Sequence, residues 1–153
     1  MQHSEMDTLI ERHLAAERAA DTAGSVAVYT DDVEHDVVGF PTGPVHGKAA
    51  AQGFYEYLVE NFRTETMDVT HRYYGENFCV IEHDTTGTVP GEFLGVAGNG
   101  RRITFRLLHV WEFRDGSSAA RTCGSTAPPS NRSSPPKPAI PTRTANRRRA
   151  APT

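Results

Sequence analysis

The C-terminal part of this chain lacks acidic residues and almost all large apolar residues. From Ser117 to Thr153 there is no Asp, Glu, Leu, Val, Phe, Tyr or Trp, and seven of the ten prolines lie there. All 19 acidic residues come earlier, so the first 116 residues carry a net charge of −10 and the remainder carries +7. Such a segment buries too little apolar surface to offset its ordering entropy. We therefore predict one domain over residues 5–116 and a disordered, basic, Pro-rich tail over residues 117–153.

The tail also has an interpretation at the level of the coding DNA. If one base were lost near Gly116, the neighbouring frame would allow the peptide V-I-S-R-E-D-V-W-L-D-S-A-A-I-Q, an alternating apolar strand followed by the start of a helix. The Asp115-Gly116 pair is a hairpin signal that requires an antiparallel strand after it. A frame-shifted C-terminus is therefore one hypothesis, and an ordinary basic extension is the alternative. The sequence of the coding DNA distinguishes the two.

Cysteine and long apolar runs are also scarce. The two cysteines, Cys79 and Cys123, make no disulfide framework, and neither has a metal-ligand partner at useful spacing. We expect neither a metal nor a cofactor. No apolar run approaches the ~20 residues that span a bilayer, and no signal-peptide pattern opens the chain, so we expect a cytoplasmic protein that does not bind membranes. The acidic domain argues against specific nucleic-acid binding.

Hydrophobic periodicity predicts helices first and strands afterwards. Apolar residues at helical spacing predict a helix over about 5–20, a short helical turn over 23–30 and a second long helix around residues 51–62. A strand is expected over 33–38. The period then changes to two, which predicts long strands over 67–74, 78–89 and 101–114. This order indicates an α+β domain whose helices cover one face of a curved antiparallel sheet that lacks its final strand.

Several motifs in this order carry a family resemblance. They are Val33-Glu-His-Asp-Val-Val-Gly-Phe-Pro-Thr-Gly-Pro-Val-His-Gly47, Phe54-Tyr55, Gly87-Thr88, Gly91-Glu-Phe-Leu-Gly95 and Phe105-Arg-Leu-Leu-His-Val-Trp-Glu-Phe-Arg-Asp-Gly116. Residues 5–116 resemble the SnoaL-like branch of the nuclear transport factor 2-like superfamily. The resemblance implies a cone-shaped α+β barrel around an apolar pocket, often paired into homodimers through the outer face of the sheet. Because the members include cyclases, isomerases and non-catalytic binders, the fold alone does not fix the function.

The resemblance places an acid/base residue at His109. Cyclases of this family pair a His on the penultimate strand with an Asp at the end of the following strand, and no numbered position here supplies that Asp. His109 shares a strand face with Phe105, Leu107, Trp111 and Phe113, so a desolvated imidazole is expected in an apolar interior. A core His bonded to a backbone carbonyl is the alternative interpretation.

Two carboxylates on the preceding strand are further catalytic candidates. Glu82 and Asp84 share a face, and either could abstract an acidic C–H if that face lined the pocket. The alternative is that one of them is solvated or pairs with Arg106. The predicted pocket lining consists of His35, Phe54, Tyr73, Phe105, Leu107 and Trp111.

Two functions remain open at this point. One is binding of a small apolar carbonyl compound, such as a polyketide-like molecule, with cofactor-independent cyclase or isomerase chemistry by proton transfer. The other is a non-catalytic ligand-binding or dimerisation module. The missing Asp predicts that this chain is inactive unless its final strand is intact.

Overall fold

The computed structural model describes residues 1–125, which form three helices and eight strands. In chain order these are α1 (His3–Arg18), α2 (Thr22–Val26), β1 (Tyr29–Val37), β2 (Val45–His46), α3 (Lys48–Asn61), β3 (Arg63–Tyr74), β4 (Phe78–Val89), β5 (Glu92–Phe93), β6 (Val96–Ala97), β7 (Arg101–Arg114) and β8 (Ser117–Ser125). The α+β class predicted from periodicity is confirmed. The predicted disorder beyond Ser125 lies outside the described residues.

The final strand is present, which corrects the expectation that it is missing. β8 follows a two-residue turn in which Asp115 and Gly116 have φ of 52° and 77°, the left-handed geometry that tight hairpins require. It lies between β7, antiparallel, and β1, parallel. With a partner on each side, its backbone groups are paired without large apolar side chains of its own. The need for another frame to supply a final strand therefore disappears, although the origin of the tail remains a hypothesis about the coding DNA.

The six-stranded sheet has the order β2-β1-β8-β7-β4-β3, and β5 and β6 form a separate small hairpin. The helices pack on its inner face, where the core contains Met6, Ile10 and Leu14 of α1 together with Ile81 and Trp111. The i, i+4 spacing of the α1 residues places them on one helix face. A smaller core of Phe62, Val89 and Phe105 lies beside the hairpin. None of the helices formed by residues 1–125 is long and apolar enough to cross a membrane.

Candidate active site

The most unusual group inside the domain is a buried arginine. The Arg121 side chain points inward from β8 and is 2% exposed. Its Nη1 donates to the Tyr55 hydroxyl at 2.5 Å and to Nε2 of His35 at 3.3 Å. Its Nη2 donates to Nε2 of His109 at 2.9 Å and to Oε1 of Glu17 at 3.4 Å. Burial alone would lower the pKa of Arg121, but Tyr55, Tyr29 and Glu17 raise it, so the guanidinium stays charged.

Aromatic rings enclose this guanidinium. Its central carbon lies 5.1 Å from the ring centre of Trp111 and 5.7 Å from that of Tyr55. Trp111 and Arg121 are directly paired across β7 and β8, which fixes the stacking by strand register. A planar guanidinium is weakly hydrated and stacks well on aromatic faces, so the cation is held against the Trp111 ring and at the hydroxyl end of Tyr55.

Helix α1 supplies the carboxylate that neutralises Arg121. The Glu17 side chain is 8% exposed and lies one turn after His13, whose Nε2 is 3.2 Å from Oε1 of Glu17. Nδ1 of His13 lies 2.6 Å from the Ser25 carbonyl oxygen. Burial alone would raise the pKa of the Glu17 carboxyl, but the charges of His13 and Arg121 hold it well below its usual range. Glu17 is therefore ionised at neutral pH.

The protonation of His109 follows from its partner. Arg121 can only donate, so Nε2 of His109 accepts and the proton of the neutral ring resides on Nδ1. Burial, reinforced by the charge of Arg121, lowers the pKa of His109 well below its ordinary value, so the ring is neutral at pH 7. Nδ1 has no hydrogen-bond partner among residues 1–125. His109 therefore presents an N–H donor and no free acceptor.

A cavity adjoins these groups, and we call it the inner cavity. It measures about 50 Å³, and its polar lining comes from Glu17, Thr64, Thr85, His109, Arg121 and Ser125. Most of the remaining wall is apolar, and includes Val37, Phe54, Leu58, Phe62, Met67, Phe93, Leu94, Phe105 and Leu107. A second space of about 210 Å³, the side cleft, shares Glu17, Leu58 and Phe62 with it and includes the exposed Arg63. Glu17 thus lies in the wall of both spaces.

The comparisons with known proteins decide the family. The sequence model of the SnoaL-like domain family matches residues 10–120. The chain belongs to the SnoaL-like family. No curated protein matches it in sequence.

Solved structures share the fold of this SnoaL-like chain at low identity. A protein from Xanthomonas campestris provisionally named a polyketide cyclase superposes with a TM-score of 0.67 at 20% identity, over 79% of this chain and 90% of its own. TsrD from Streptomyces laurentii gives a TM-score of 0.70 at 16% identity, over 82% and 91%. A Catenulispora acidiphila protein with a ketosteroid isomerase-like fold, in complex with trimethylamine, gives 0.63 at 11%, over 75% and 82%. These likenesses establish the nuclear transport factor 2-like fold.

The structure brings most of the predicted pocket residues to the site. Phe54, Phe105 and Leu107 line the inner cavity beside His109. His35 is buried against Arg121 and lines a different cleft with Phe40 and Phe54. Trp111 is fully buried under the guanidinium. These SnoaL-like pocket residues are assembled by alternation along β1 and β7 together with one turn of α3.

Three predicted site residues lie elsewhere. Glu82 and Asp84 are on the outer face of β4, because the inward positions of that strand are occupied by Ile81 and His83. Glu82 forms ion pairs with His71 and Arg106, and Asp84 is exposed, so neither faces His109.

Tyr73 is 57% exposed on the outer face of β3, where its ring stacks on His71. Alternation alone does not say which face is inside, so the prediction that these side chains line the pocket does not match the structure. The alternative, that a carboxylate is solvated or pairs with Arg106, does match it.

Two central residues of the site were not predicted. The signal for Glu17 was present in the sequence, since His13 and Glu17 continue the buried α1 stripe of Met6 and Ile10 with two ionisable groups. Arg121 was not identified because it lies in the segment expected to be disordered. Once β8 is recognised, its alternation places Arg121 and Cys123 on the buried face.

We predict that His83 makes stability fall with acid. His83 is fully buried, and neither ring nitrogen has a partner among the described residues. Burial, with the charge of Arg121, lowers its pKa to about 4, against about 6.5 in the unfolded chain. Between these values the unfolded chain binds a proton that the folded chain does not, so unfolding free energy falls by up to ~1.4 kcal/mol per pH unit.

Urea unfolding between about pH 7 and pH 4 measures this slope. His83→Leu should reduce it by nearly one proton. If unfolding free energy fell with acid as steeply in His83→Leu as in the wild type, His83 would not be the cause of the loss.

Proposed function

We propose that this chain binds a small apolar carbonyl compound in the inner cavity and transfers a proton at the carbon beside the carbonyl. The observation that carries the proposal is the buried Nδ1–H of His109, which has no hydrogen-bond partner among residues 1–125, on a residue that lines a largely apolar cavity. Buried polar groups are normally hydrogen-bonded, and an exception requires an explanation. A ligand oxygen would satisfy this donor.

The cavity walls favour a compact ligand. The rings of Phe54, Phe62 and Phe105 and the side chains of Leu58 and Leu107 offer apolar contact. A space of about 50 Å³ beside a cleft of about 210 Å³ is below the ~300–1,000 Å³ typical of drug-sized ligand sites. A compact molecule is therefore a better match than an extended chain.

The chemistry follows from the protonation state of His109. A neutral imidazole that donates from Nδ1 can polarise a carbonyl and stabilise the enolate that forms when a neighbouring C–H loses its proton. Nε2 is occupied by Arg121, so His109 is a donor and the base must be another group. The reaction requires a donor, a base and a dry site. An aldol-type ring closure, the reaction class suggested by neighbours named as polyketide cyclases, begins with this step.

A non-catalytic binding protein is the second candidate. It would use the same cavity and the same hydrogen bond from His109, but ligand binding would cause no proton exchange. Exchange of ketone α-protons for deuterium therefore separates the two candidates, whereas binding alone does not.

We predict that His109→Ala reduces this exchange. Loss of one donor to an enolate oxygen typically costs about 10²–10³-fold in rate. The test follows deuterium incorporation into cyclohexanone and β-tetralone by NMR, with circular dichroism to verify folding. His83→Leu is the matched control, because His83 is an equally buried histidine whose ring centre lies 5.0 Å from that of His109. Equal exchange by His109→Ala and the wild type would contradict the proposed donor role.

A second copy of this chain is the partner that we propose for the outer face of the sheet. Exposed apolar side chains lie there on three adjacent strands: Tyr73 of β3 at 57%, Phe78 of β4 at 45% and Leu108 of β7 at 43%. Val80 and Val110 are paired with each other between them. The Arg106–Glu82 ion pair borders this surface. A contiguous apolar surface with charged neighbours is typical of protein interfaces.

We predict that Leu108→Glu shifts the protein from dimer to monomer, because it replaces an apolar side chain of this surface by a charge. Val59→Glu on α3, where the valine is 40% exposed, is the matched control and should leave the dimer intact. Sedimentation velocity gives the mass of each variant. A monomeric wild type, or a Leu108→Glu variant that remains dimeric, would contradict this interface.

A further inference from the structure

The N-terminal helix carries a carboxylate oriented toward the site, although the strands provide none. Among the residues described, Oε1 of Glu17 contacts His13 and Arg121, whereas Oε2 is buried without a hydrogen-bond partner. Glu17 lines the inner cavity together with His109. A buried carboxylate oxygen without a partner and a buried N–H without an acceptor, on two residues that line one cavity, are the two kinds of group that an α-proton transfer requires.

The hydrogen bonds of His13 place a proton next to that carboxylate. Nδ1 lies 2.6 Å from the Ser25 carbonyl oxygen, which can only accept, so Nδ1 is protonated. Nε2 then lies 3.2 Å from Oε1 of Glu17, and an imidazole lone pair facing a carboxylate oxygen would be repulsive. The contact is favourable only if the two groups share one more proton. His13 and Glu17 therefore form a proton-sharing pair.

We propose that Glu17 is the base of the proton-transfer step and that His13 is its positioning residue. The inference rests on the function proposed above and extends it to a residue of α1. Oε2 of Glu17 takes the proton from the substrate carbon, so a C–H bond breaks and an O–H bond forms. The electron pair of the C–H bond becomes the carbon–carbon π bond, and the carbonyl π pair moves to the oxygen that accepts from Nδ1–H of His109.

Arg121 keeps the charge balanced during this step. One nitrogen of the guanidinium, Nη2, contacts both Oε1 of Glu17, at 3.4 Å, and Nε2 of His109, at 2.9 Å. The negative charge leaves the carboxylate on one side of the guanidinium and develops on the enolate oxygen held by His109 on the other. The site therefore needs little reorganisation as the proton moves, which is the condition for electrostatic catalysis in a dry cavity.

The side cleft explains how the proton is exchanged. Glu17 lines this cleft as well as the inner cavity, and the cleft includes the exposed Arg63. Water entering there can replace the proton on Glu17 by a deuteron, which then returns to the substrate carbon. This gives the isotope exchange that the assay detects, without a further co-reactant.

The test compares deuterium exchange into cyclohexanone by the wild type, Glu17→Gln, Glu17→Asp and Glu11→Gln. Glu17→Gln should lose at least about 10²-fold in rate, whereas Glu11→Gln, at an exposed position of the same helix, should retain the wild-type rate. If Glu17→Gln fails to fold, Glu17→Asp keeps the charge but withdraws the carboxylate by one methylene. It should lose at least about tenfold with its melting temperature retained, since catalytic rates are sensitive to displacements of ~1 Å.

The role of His13 is tested by the pH dependence of the rate. The titratable groups that face Glu17 are His13 of α1, Arg121 of β8 and His109 of β7. Burial alone would raise the pKa of the Glu17 carboxyl, but the charges of His13 and Arg121 lower it. His13→Gln removes one of them, so the pH below which exchange declines should shift upward. A purely structural role would lower the rate equally at every pH.

The outcomes separate this inference from the proposed function. Wild-type exchange in Glu17→Gln, together with a loss in His109→Ala, would refute Glu17 as the base and leave the proposed function intact. No exchange by the wild type would refute both. An unchanged acid limb in His13→Gln would refute the proton-sharing pair alone.

Discussion

The arrangement of this domain depends on a single buried cation. Arg121 on β8 contacts residues from α1, α3, β1 and β7, so one guanidinium connects both layers of the fold. An isolated charge in such a position would cost several kcal/mol. It is tolerated because Glu17 neutralises it and because Tyr55, His35 and His109 accept from its nitrogens. The same contacts determine the protonation of the site, since each histidine that accepts from Arg121 must carry its own proton on the opposite nitrogen.

The buried Arg121 cation explains why His109 acts as a hydrogen-bond donor and not as a base. Burial and a neighbouring cation act in the same direction on an imidazole, and both lower its pKa. They act in opposite directions on a carboxyl group, and for Glu17 the charges prevail. The result is a neutral donor and an ionised carboxylate bordering one cavity. Pairs of titratable groups whose environments separate their pKa values are a recurrent basis for assigning acid and base.

Much of the fold could be predicted from the sequence, because apolar periodicity is explicit in α1, α3, β4 and β7. β8 could not, because Ser117–Ser125 contains no large apolar side chain and forms a strand only through its two neighbours. Tertiary context of this kind is absent from any local pattern. His109 and the apolar residues on its strand face could be predicted from alternation along β7, although Leu108 and Val110 on the opposite face are apolar as well.

The faces of β3 and β4 could not be assigned in this way. Alternation gives two sets of residues, and the packing of α1 and α3 decides which set is inside. Glu82, Asp84 and Tyr73 were consequently expected in the pocket, whereas the structure places them outside. Glu17 was overlooked for a different reason. Charged residues on an amphipathic helix normally face solvent, and the buried stripe that His13 and Glu17 continue was recognised by its apolar members alone.

A double-mutant cycle between Arg121 and Glu17 tests the central claim most directly. Urea unfolding would compare the wild type, Arg121→Met, Glu17→Gln and the double variant. If the two groups neutralise each other inside the domain, each single change leaves a buried charge or acceptor unpaired and should cost about 3 kcal/mol or more. The double variant should then be at least ~1 kcal/mol more stable than the sum of the single changes predicts. Additive effects, or single changes that cost little, would show that Arg121 does not organise the site.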